Sequence, residues 1–471
     1  MSSKKGTNLP ANPGRHVMTI ALPVGLEFIL VLGLTFVNQI IVAGLGDSAV
    51  AAVGFANSVN MIPLFFLGAL HIGAGVVVAR AFGGGHKDVV SKSVTFALVV
   101  ALGSGVAVAI PFVLFPAQIL TLVGASDDVV AEGSGYLAVT LAGLFAGVLG
   151  MVLSGILRSA NRPRSPMVAT IITVGLSTPV AIVFVYGLGP IPAMGVVGAA
   201  WAMLITAVLK AIILMVQIYL VFDVADWMLP ATRREWVKIG RPILVLAMPM
   251  ALTSLSWTGA NFFYNVLVQQ LGDGPLAVLQ IVGTMAAVFI AGSFGLASSM
   301  SVMVGQSIGK GSPGLAEDWM HYVLRVALWV SVAMAMVFAL TATALPVIYP
   351  EVSLEVLGIT SLGILINAAF QPLAVRMLMY AAVLPNGNDT NGIIMGDLAG
   401  PYLIGLPVSI ALAFFTPLGV LGVMVGKGLE DTLKMLIFGW RARRVAWDRV
   451  VEKHEDSLIT PGDIRTGPIT L

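Results

Sequence analysis

The chain repeats half of itself at a nearly constant interval. Leu-Gly-Asp occurs at 45–47 and again at 271–273, 226 positions later. The same interval relates Ala-Leu-Pro at 21–23 to Ala-Met-Pro at 247–249, and an interval of 224 relates the Leu-Lys pairs at 209–210 and 433–434. Solenoid repeats have periods of about 20 to 50 residues. A period this long therefore predicts two copies of one domain.

Composition places the duplicated domain in a membrane. Apolar residues make up 58% of the chain, charged residues 10%, and the mean hydropathy is +0.97. Soluble domains carry about 25% charged residues. The chain has no Cys, which excludes disulfides and thiolate chemistry. We expect no nucleic acid partner, and no cofactor other than a transported ion.

Twelve apolar stretches are long enough to cross a bilayer, which takes roughly 20 residues each. They predict helices at about 17–44, 48–80, 91–115, 129–157, 165–187, 194–222, 241–270, 275–308, 319–348, 353–384, 390–415 and 418–440. The predicted fold is thus all-α, with two six-helix lobes. The expected segments are an N-terminal segment 1–16, an N-lobe 17–222, a linker 223–240, a C-lobe 241–442 and a loosely ordered polar tail 443–471.

Positive charge predicts the orientation of these helices. The connections expected on one side of the membrane carry Arg15, Arg80, Lys87, Arg158, Arg162, Arg164, Arg233, Arg234, Lys238, Lys310, Arg441, Arg443 and Arg444. The connections on the other side contain no Lys or Arg. Loops rich in Lys and Arg stay in the cytoplasm, so both termini are predicted to be cytoplasmic. Six helices per lobe give the two lobes the same orientation.

Several short motifs, in order along the chain, resemble those of the multidrug and toxic compound extrusion (MATE) family. They are Pro23, Glu27 and 45–47 (Leu-Gly-Asp), 73–75 (Gly-Ala-Gly), 79–83 (Ala-Arg-Ala-Phe-Gly), 157–161 (Leu-Arg-Ser-Ala-Asn), 166–167 (Pro-Met), 371–373 (Gln-Pro-Leu) and 388–390 (Asn-Asp-Thr). The resemblance implies a V-shaped pair of lobes around a central cleft. It also implies export of organic, often cationic, compounds across the cytoplasmic membrane, driven by inward flow of sodium ions or protons. We expect a monomer.

The chain differs from the family pattern where the family commonly places its coupling carboxylates. Asn38 occupies the position of an Asp in the outer half of the first helix, and Asn367 that of a carboxylate in the tenth. Thr178 stands before Pro179, where some members have Asp. An amide can coordinate sodium through its oxygen but cannot carry a proton at neutral pH. The identity of the coupling ion therefore stays open.

Glu27 is the first candidate for a coupling group. It lies about ten residues into the first predicted helix, or roughly 15 Å deep at 1.5 Å per residue. Asn38, eleven residues later, returns to within about 20° of the same helix face. Intramembrane carboxylates are costly and usually functional, so the pair predicts a proton or cation site, with sodium as one possibility. The alternative is a hydrogen-bonded Glu27 that locks the first helix to a neighbour.

Other charges inside the predicted helices have competing explanations. Asp397 is either the second-lobe substitute for a missing carboxylate or the ion-pair partner of Arg376. The pairs Lys427/Asp431 and Glu430/Lys434 have the i,i+4 spacing at which opposite charges meet on a helix. Lys210 has no acid on its own helix and either snorkels or pairs across the bundle. His71 is interpreted as a packing residue held by a hydrogen bond, and a proton relay is the alternative.

An aromatic and amide face on the seventh helix predicts a substrate surface. Trp257, Asn261 and Tyr264 follow one another at i, i+4 and i+7, and aromatic rings bind organic cations through cation–π contacts. Asn57 on the second helix and Gln371 on the tenth complete the expected cleft. Packing of these aromatic side chains in the core is the alternative.

Together with the resemblance to the MATE family, these features predict a cation-coupled antiporter that exports small organic, cationic compounds by alternating access. A flippase for lipid-linked precursors on a related frame is the alternative, and it would need a basic interior to hold pyrophosphate. A membrane-embedded enzyme would need clustered His, Asp or Glu, and the predicted helices do not supply such a cluster. We expect no enzyme activity.

Overall fold

The computed structural model describes residues 9–188, 190–350 and 352–458, and within these ranges the chain is helical, with no β-strand. The helices of its first part are α1 Pro13–Ala43, α2 Asp47–Gly68, α3 Leu70–Gly83, α4 Lys87–Leu114, α5 Pro116–Leu122, α6 Asp127–Ala142, α7 Leu144–Ser159, α8 Arg164–Tyr186 and α9 Val196–Val216. The remainder are α10 Arg233–Gln269, α11 Asp273–Gly309, α12 Pro313–Thr341, α13 Leu345–Ile348, α14 Leu354–Val383, α15 Thr390–Ala399, α16 Leu406–Phe415, α17 Val420–Ala442 and α18 Trp447–Leu458. Short π-helical turns, Gln217–Val221 and Gly400–Gly405, extend α9 and join α15 to α16.

The prediction of an all-α, multi-pass membrane protein is confirmed. Ten helical segments among the described residues are long and apolar enough to cross a bilayer, and α6 with α7, bent by 42°, forms an eleventh span. Helix α17 corresponds to the twelfth predicted span, but four charged residues in its middle lower its hydropathy, and it is not among these apolar segments. The four charged residues are Lys427, Glu430, Asp431 and Lys434.

The helices form two compact units, named here by the part of the chain that dominates each. The N-terminal unit contains residues 26–251, and the C-terminal unit contains α1 up to Gly25 together with the chain from Leu252 through α18. The boundaries, after 25 and after 251, are 226 residues apart. They therefore fall at equivalent positions of the repeat, two residues after Pro23 in α1 and Pro249 in α10. The units thus divide α1 and α10, whereas the predicted lobes keep each helix whole.

Glycines let the first halves of α1 and α10 approach their neighbours closely. In the C-terminal unit a Cβ added to Gly295 would lie 2.0 Å from the carbonyl oxygen of Ala21. In the N-terminal unit a Cβ on Gly73 would lie 2.3 Å from the carbonyl oxygen of Ile243. Small residues allow helix backbones to meet in membranes, where packing replaces the hydrophobic effect. Each unit therefore holds half of a leading helix by the same device.

Two predicted segments differ from the structure. Helix α10 begins at Arg233, inside the predicted linker 223–240, and Lys87 of α4 pairs with Asp223 at 2.7 Å, which holds the start of that linker. The tail was predicted to be loosely ordered, which is wrong for α18. Its Trp447, Val450 and Val451 are buried, because these apolar side chains share one helix face. Residues 459–471 lie outside the described ranges.

Candidate functional site

In the N-terminal unit, Glu27 is the centre of a buried charged cluster. Its Oε2 accepts a hydrogen bond from Arg158 Nη2 at 2.6 Å, and its Oε1 accepts one from Lys210 Nζ at 3.1 Å. Thr170 Oγ1 donates to Oε1 at 3.3 Å. The Glu27 side chain is only 4% exposed. We call Glu27, Arg158, Thr170 and Lys210 the Glu27 cluster.

The Glu27 cluster joins four helices. Glu27 comes from α1, Arg158 from the last turn of α7, Thr170 from α8 and Lys210 from α9. Two cations surround one carboxylate, and they stabilise its ionised form. Lys210 thus pairs across the bundle, which is one of the two alternatives predicted for it. The arrangement also contains the predicted lock of the first helix, since α1 is tied to three neighbours.

Asn38 does not belong to the Glu27 cluster. It lies eleven residues further along the continuous helix α1, which places it about 16 Å away along the axis. It is half-exposed and makes no hydrogen bond within the described part of the chain. One sodium ion therefore cannot be coordinated by both residues. A role for Asn38 in ion binding stays a prediction.

In the C-terminal unit, Lys434 is the centre of a second buried cluster. Its Nζ lies 2.8 Å from Glu430 Oε1 and 3.4 Å from Asp397 Oδ1. Tyr264 donates its hydroxyl to Glu430 Oε2 at 2.6 Å. The Lys434 side chain is 4% exposed. We call Lys434, Glu430, Asp397 and Tyr264 the Lys434 cluster; it connects α17 with α15 and α10.

Glycines in the π-helical turn make room for the Lys434 cluster. A Cβ on Gly405 would lie 2.2 Å from the Tyr264 hydroxyl and 2.8 Å from Glu430 Oε2. A Cβ on Gly400 would lie 2.8 Å from Lys434 Cε. Any larger residue would displace the charged side chains. The widened turn and its glycines therefore shape this part of the unit around the cluster, as π-bulges often do at functional sites.

Three predicted ion pairs can be compared with the structure. Glu430/Lys434 is confirmed. The predicted pair Lys427/Asp431 is wrong, because the ammonium and carboxylate groups do not form an ion pair within 4 Å. Lys427 instead donates to Asn261 Oδ1 at 3.2 Å and lies 4.9 Å from the centre of the Tyr264 ring. Helical spacing allows a pair, but the neighbouring helix α10 offers Lys427 both an amide oxygen and a ring face.

The predicted pair of Asp397 with Arg376 is also wrong. Asp397 pairs with Lys434, whereas Arg376 Nη2 donates to Tyr380 OH at 3.4 Å, one turn further along α14. Similar depth in the membrane made the pair plausible, but α17 and not α14 presents the cation. Depth along a helix does not determine which face a side chain takes.

The predicted substrate residues have different surroundings. Trp257 is 53% exposed, whereas Tyr264 is 2% exposed and donates a hydrogen bond to Glu430. Asn57 accepts a hydrogen bond from Tyr136 OH at 3.0 Å. Gln371 is buried and neither polar atom of its amide has a partner among the described residues. Tyr264 therefore fits the packing alternative, and the other contacts stay predictions.

Two further sequence candidates have ordinary partners. Asn367 donates to the carbonyl of Gly363 on its own helix at 3.0 Å. His71 is hydrogen-bonded to the carbonyl oxygen of Gly68, which agrees with its interpretation as a packing residue. Within residues 9–188, 190–350 and 352–458, no three His, Cys, Asp or Glu side chains form a group that could hold a metal ion.

The repeat relates the two clusters through their lysines. Lys210 and Lys434 are 224 residues apart, and each pairs with a buried carboxylate. The carboxylates are not equivalent. Thr253 stands 226 residues after Glu27, and its side chain instead hydrogen-bonds Asp397. The second copy has thus replaced the acid on its leading helix with acids from two other helices.

Sequence reasoning missed Arg158, Thr170 and the bond from Tyr264 to Glu430. The sequence places Arg158 in a basic connection and in the motif at 157–161, without indicating a partner. The one available signal was the repeated lysine, since the same cation at equivalent positions of two apolar helices implies a shared need for a partner.

Comparison with known proteins gives a consistent result. The MatE family profile matches residues 23–183 and 249–384, once in each half. The chain is 24% identical over 448 residues to the probable multidrug resistance protein NorM of Rhodopseudomonas palustris, covering 92% of each chain. It is 25% identical to the NorM of Bradyrhizobium diazoefficiens, covering 91% of this chain and 94% of that one. A crystal structure of MATE in complex with MaL6 has the same fold, with a TM-score of 0.84 at 22% identity over 94% of this chain and 97% of that one.

Proposed function

We infer the function from one premise, that this chain belongs to the MatE family. The protein is then a transporter that exports small organic, cationic compounds across the cell membrane, in exchange for an inward-moving cation. The relatives that match over nine-tenths of the chain are named multidrug resistance proteins. We further propose that it works as a monomer with both termini in the cytoplasm, as the distribution of Lys and Arg indicates.

The observation that carries the coupling proposal is the Glu27 cluster. A buried carboxylate that ties α1 to α7, α8 and α9 controls how the leading helix is held. A proton on Glu27 would remove the negative charge that attracts Arg158 and Lys210. The ties between α1 and its neighbours would then weaken, and α1 could move. Proton binding and helix motion would thus be linked by electrostatics alone.

Sodium fits this site poorly, and a proton can bind Glu27 only as the carboxylate separates from Arg158 and Lys210, because both cations stabilise its ionised form. Cations occupy both carboxylate oxygens, with Arg158 at 2.6 Å and Lys210 at 3.1 Å. A sodium ion at Glu27 would lie within a few ångströms of both positive charges and would be repelled by them. The flippase alternative needs cations free to hold pyrophosphate, whereas Arg158 and Lys210 are both bound by Glu27.

Dye transport in inverted membrane vesicles tests the proposal. Ethidium accumulation is measured under an imposed proton gradient and, separately, under an imposed sodium gradient. Wild type should respond to the proton gradient, and Glu27→Gln should lose at least nine-tenths of that response. Accumulation that ignores both gradients would contradict the antiporter, and a full proton response in Glu27→Gln would contradict the role of Glu27.

A paired variant separates coupling from a purely structural lock. Glu27→Gln leaves two partly buried cations without their carboxylate, so part of its loss can be instability. Glu27→Gln/Lys210→Gln removes one of those cations and should recover stability. If Glu27 carries the proton, the double variant stays uncoupled although it is stable. If it regains proton-driven transport, Glu27 is only a lock.

A further inference from the structure

A basic cavity lies in the C-terminal unit at the junction of α17 and α18, away from both charged clusters. Its volume is about 370 Å³, and its wall includes Trp440, Arg441, Arg444, Arg449 and Lys453. Transport chemistry does not require this cavity, because it lies at the end of α17, where α18 begins. Its charge nevertheless identifies the kind of ligand that it can hold.

Three of its four cations are available to a ligand. Arg441 is taken by Asp389, which it binds through two parallel hydrogen bonds, one of them Nε to Oδ2 at 2.7 Å. Arg444, Arg449 and Lys453 form no ion pair within 4 Å among the described residues. These three side chains therefore leave a surplus of positive charge around the cavity.

On α18 the cations and the acids occupy neighbouring faces. Arg449 and Lys453 are four residues apart and share one face at about 100° per residue. The acids Asp448 and Glu452 lie on one side of these cations around the helix. The buried Val450 lies on the other side. The cationic stripe thus borders the apolar face that fixes α18 to its unit. It is held towards the cavity by packing.

The position of the cavity indicates where its ligand comes from. Leu436 is 59% exposed and Trp440 is 46% exposed, one turn apart near the end of α17. Arg444 continues the row, and its guanidinium lies 4.1 Å from the Trp440 ring centre. An apolar side chain, then an interfacial Trp, then an Arg follow the order of acyl chain, interface and headgroup in a bilayer.

We propose that this cavity binds the phosphate of an anionic phospholipid headgroup. Basic pockets at the cytoplasmic membrane surface are suited to such headgroups, and Arg forms forked hydrogen bonds with phosphate oxygens. Arg449 and Lys453 supply charge from α18, and Arg444 supplies it from the end of α17. The headgroup would link the two helices at the membrane boundary.

Binding of short-chain lipids to the full-length protein in detergent tests this site. The ligands are dihexanoyl phosphatidylglycerol, dihexanoyl phosphatidylcholine and sodium phosphate, each titrated by microscale thermophoresis. Phosphatidylglycerol should bind at least tenfold more tightly than either of the others. Equal affinity for phosphatidylcholine would overturn the proposal, and equal affinity for sodium phosphate would replace the lipid by a free anion and overturn it as well.

Charge variants locate the binding. Arg449→Gln/Lys453→Gln should weaken phosphatidylglycerol binding about 25-fold, at about fivefold for each cation. The matched control, Arg233→Gln/Arg234→Gln, removes two exposed cations from the start of α10 and should leave the affinity unchanged. Arg449→Lys/Lys453→Arg keeps both charges and should retain binding. Unchanged affinity in the Gln variant, or equal losses in the Gln variant and the control, would overturn the site.

Discussion

The Glu27 cluster and the Lys434 cluster occupy related parts of the duplicated chain but have opposite charge patterns. In the N-terminal unit two cations surround one carboxylate, and in the C-terminal unit two carboxylates surround one lysine. Only the lysine is shared by the repeat. A duplicated scaffold can thus keep a buried cation and draw its partners from different helices, because any acid within reach satisfies it.

The difference also has a consequence for transport. The Glu27 cluster depends on a single acid, so one proton can remove both of its ion pairs. The Lys434 cluster has two acids and the Tyr264 hydroxyl, so one proton leaves Lys434 with a partner. We therefore expect protonation of Glu27 to release the helices of its cluster, whereas protonation of one acid leaves the helices of the Lys434 cluster tied together.

The largest effect is expected for Lys434→Met. It leaves the buried Glu430 and the half-buried Asp397 without their cation, and breaking a buried pair in this way costs about 3–5 kcal/mol. The free energy of unfolding, measured by SDS titration in mixed micelles, should fall by about that amount. Lys434→Met/Glu430→Gln, which removes one of the stranded charges, should recover part of the loss. A cost below about 1 kcal/mol, the value of an exposed pair, would show that Lys434 does not hold the unit together.

Glu27→Gln should cost less, about 2–3 kcal/mol. The amide oxygen can still accept from Arg158 or Lys210, so part of the charged hydrogen bonding remains. The same SDS titration measures it, with Glu27→Leu as the variant that removes every polar contact and should cost more. If Gln proves as costly as Lys434→Met, the two clusters do not differ in the number of available partners.

Gly405→Ala should cost about 1–3 kcal/mol, the usual penalty for overpacking. Its Cβ would meet the Tyr264 hydroxyl and Glu430, so the damage should appear at the Lys434 cluster. Gly175→Ala in α8 is the matched control, because no atom lies within 4 Å of the added Cβ. Thermal unfolding should separate the two variants. Similar changes in both would mean that glycine at 405 is not required by the cluster.

Lys427→Met should have the smallest effect, about 0.5–1 kcal/mol. Lys427 is half-buried and is held by Asn261 and the Tyr264 ring, without an ion pair within 4 Å. Its loss should therefore leave the Lys434 cluster intact. Double-mutant cycles with Tyr264→Phe and Asn261→Ala can apportion the remaining coupling. A loss above about 2 kcal/mol would place Lys427 within the cluster.

Much of the fold is predictable from the sequence because its signals are local. A run of some twenty apolar residues predicts a span wherever it occurs, and the family profile later matched both halves at the interval of the repeat. Glu430/Lys434 was predictable for the same reason, since both residues lie on one helix. Tail helix α18 was missed because its three buried side chains give a weak signal among many charges.

The sequence by itself determined the duplication, the helical class, the family and the buried polar residues that demand partners. Only the tertiary structure decided which partners they have. Glu27 is 131 residues from Arg158 and 183 from Lys210. Asp397 pairs with Lys434 and not with Arg376. Helix rotation and packing bring such distant side chains together, and no periodicity within a single segment records them. The repeat specifies the helices of the two halves, and their packing determines which buried polar side chains interact.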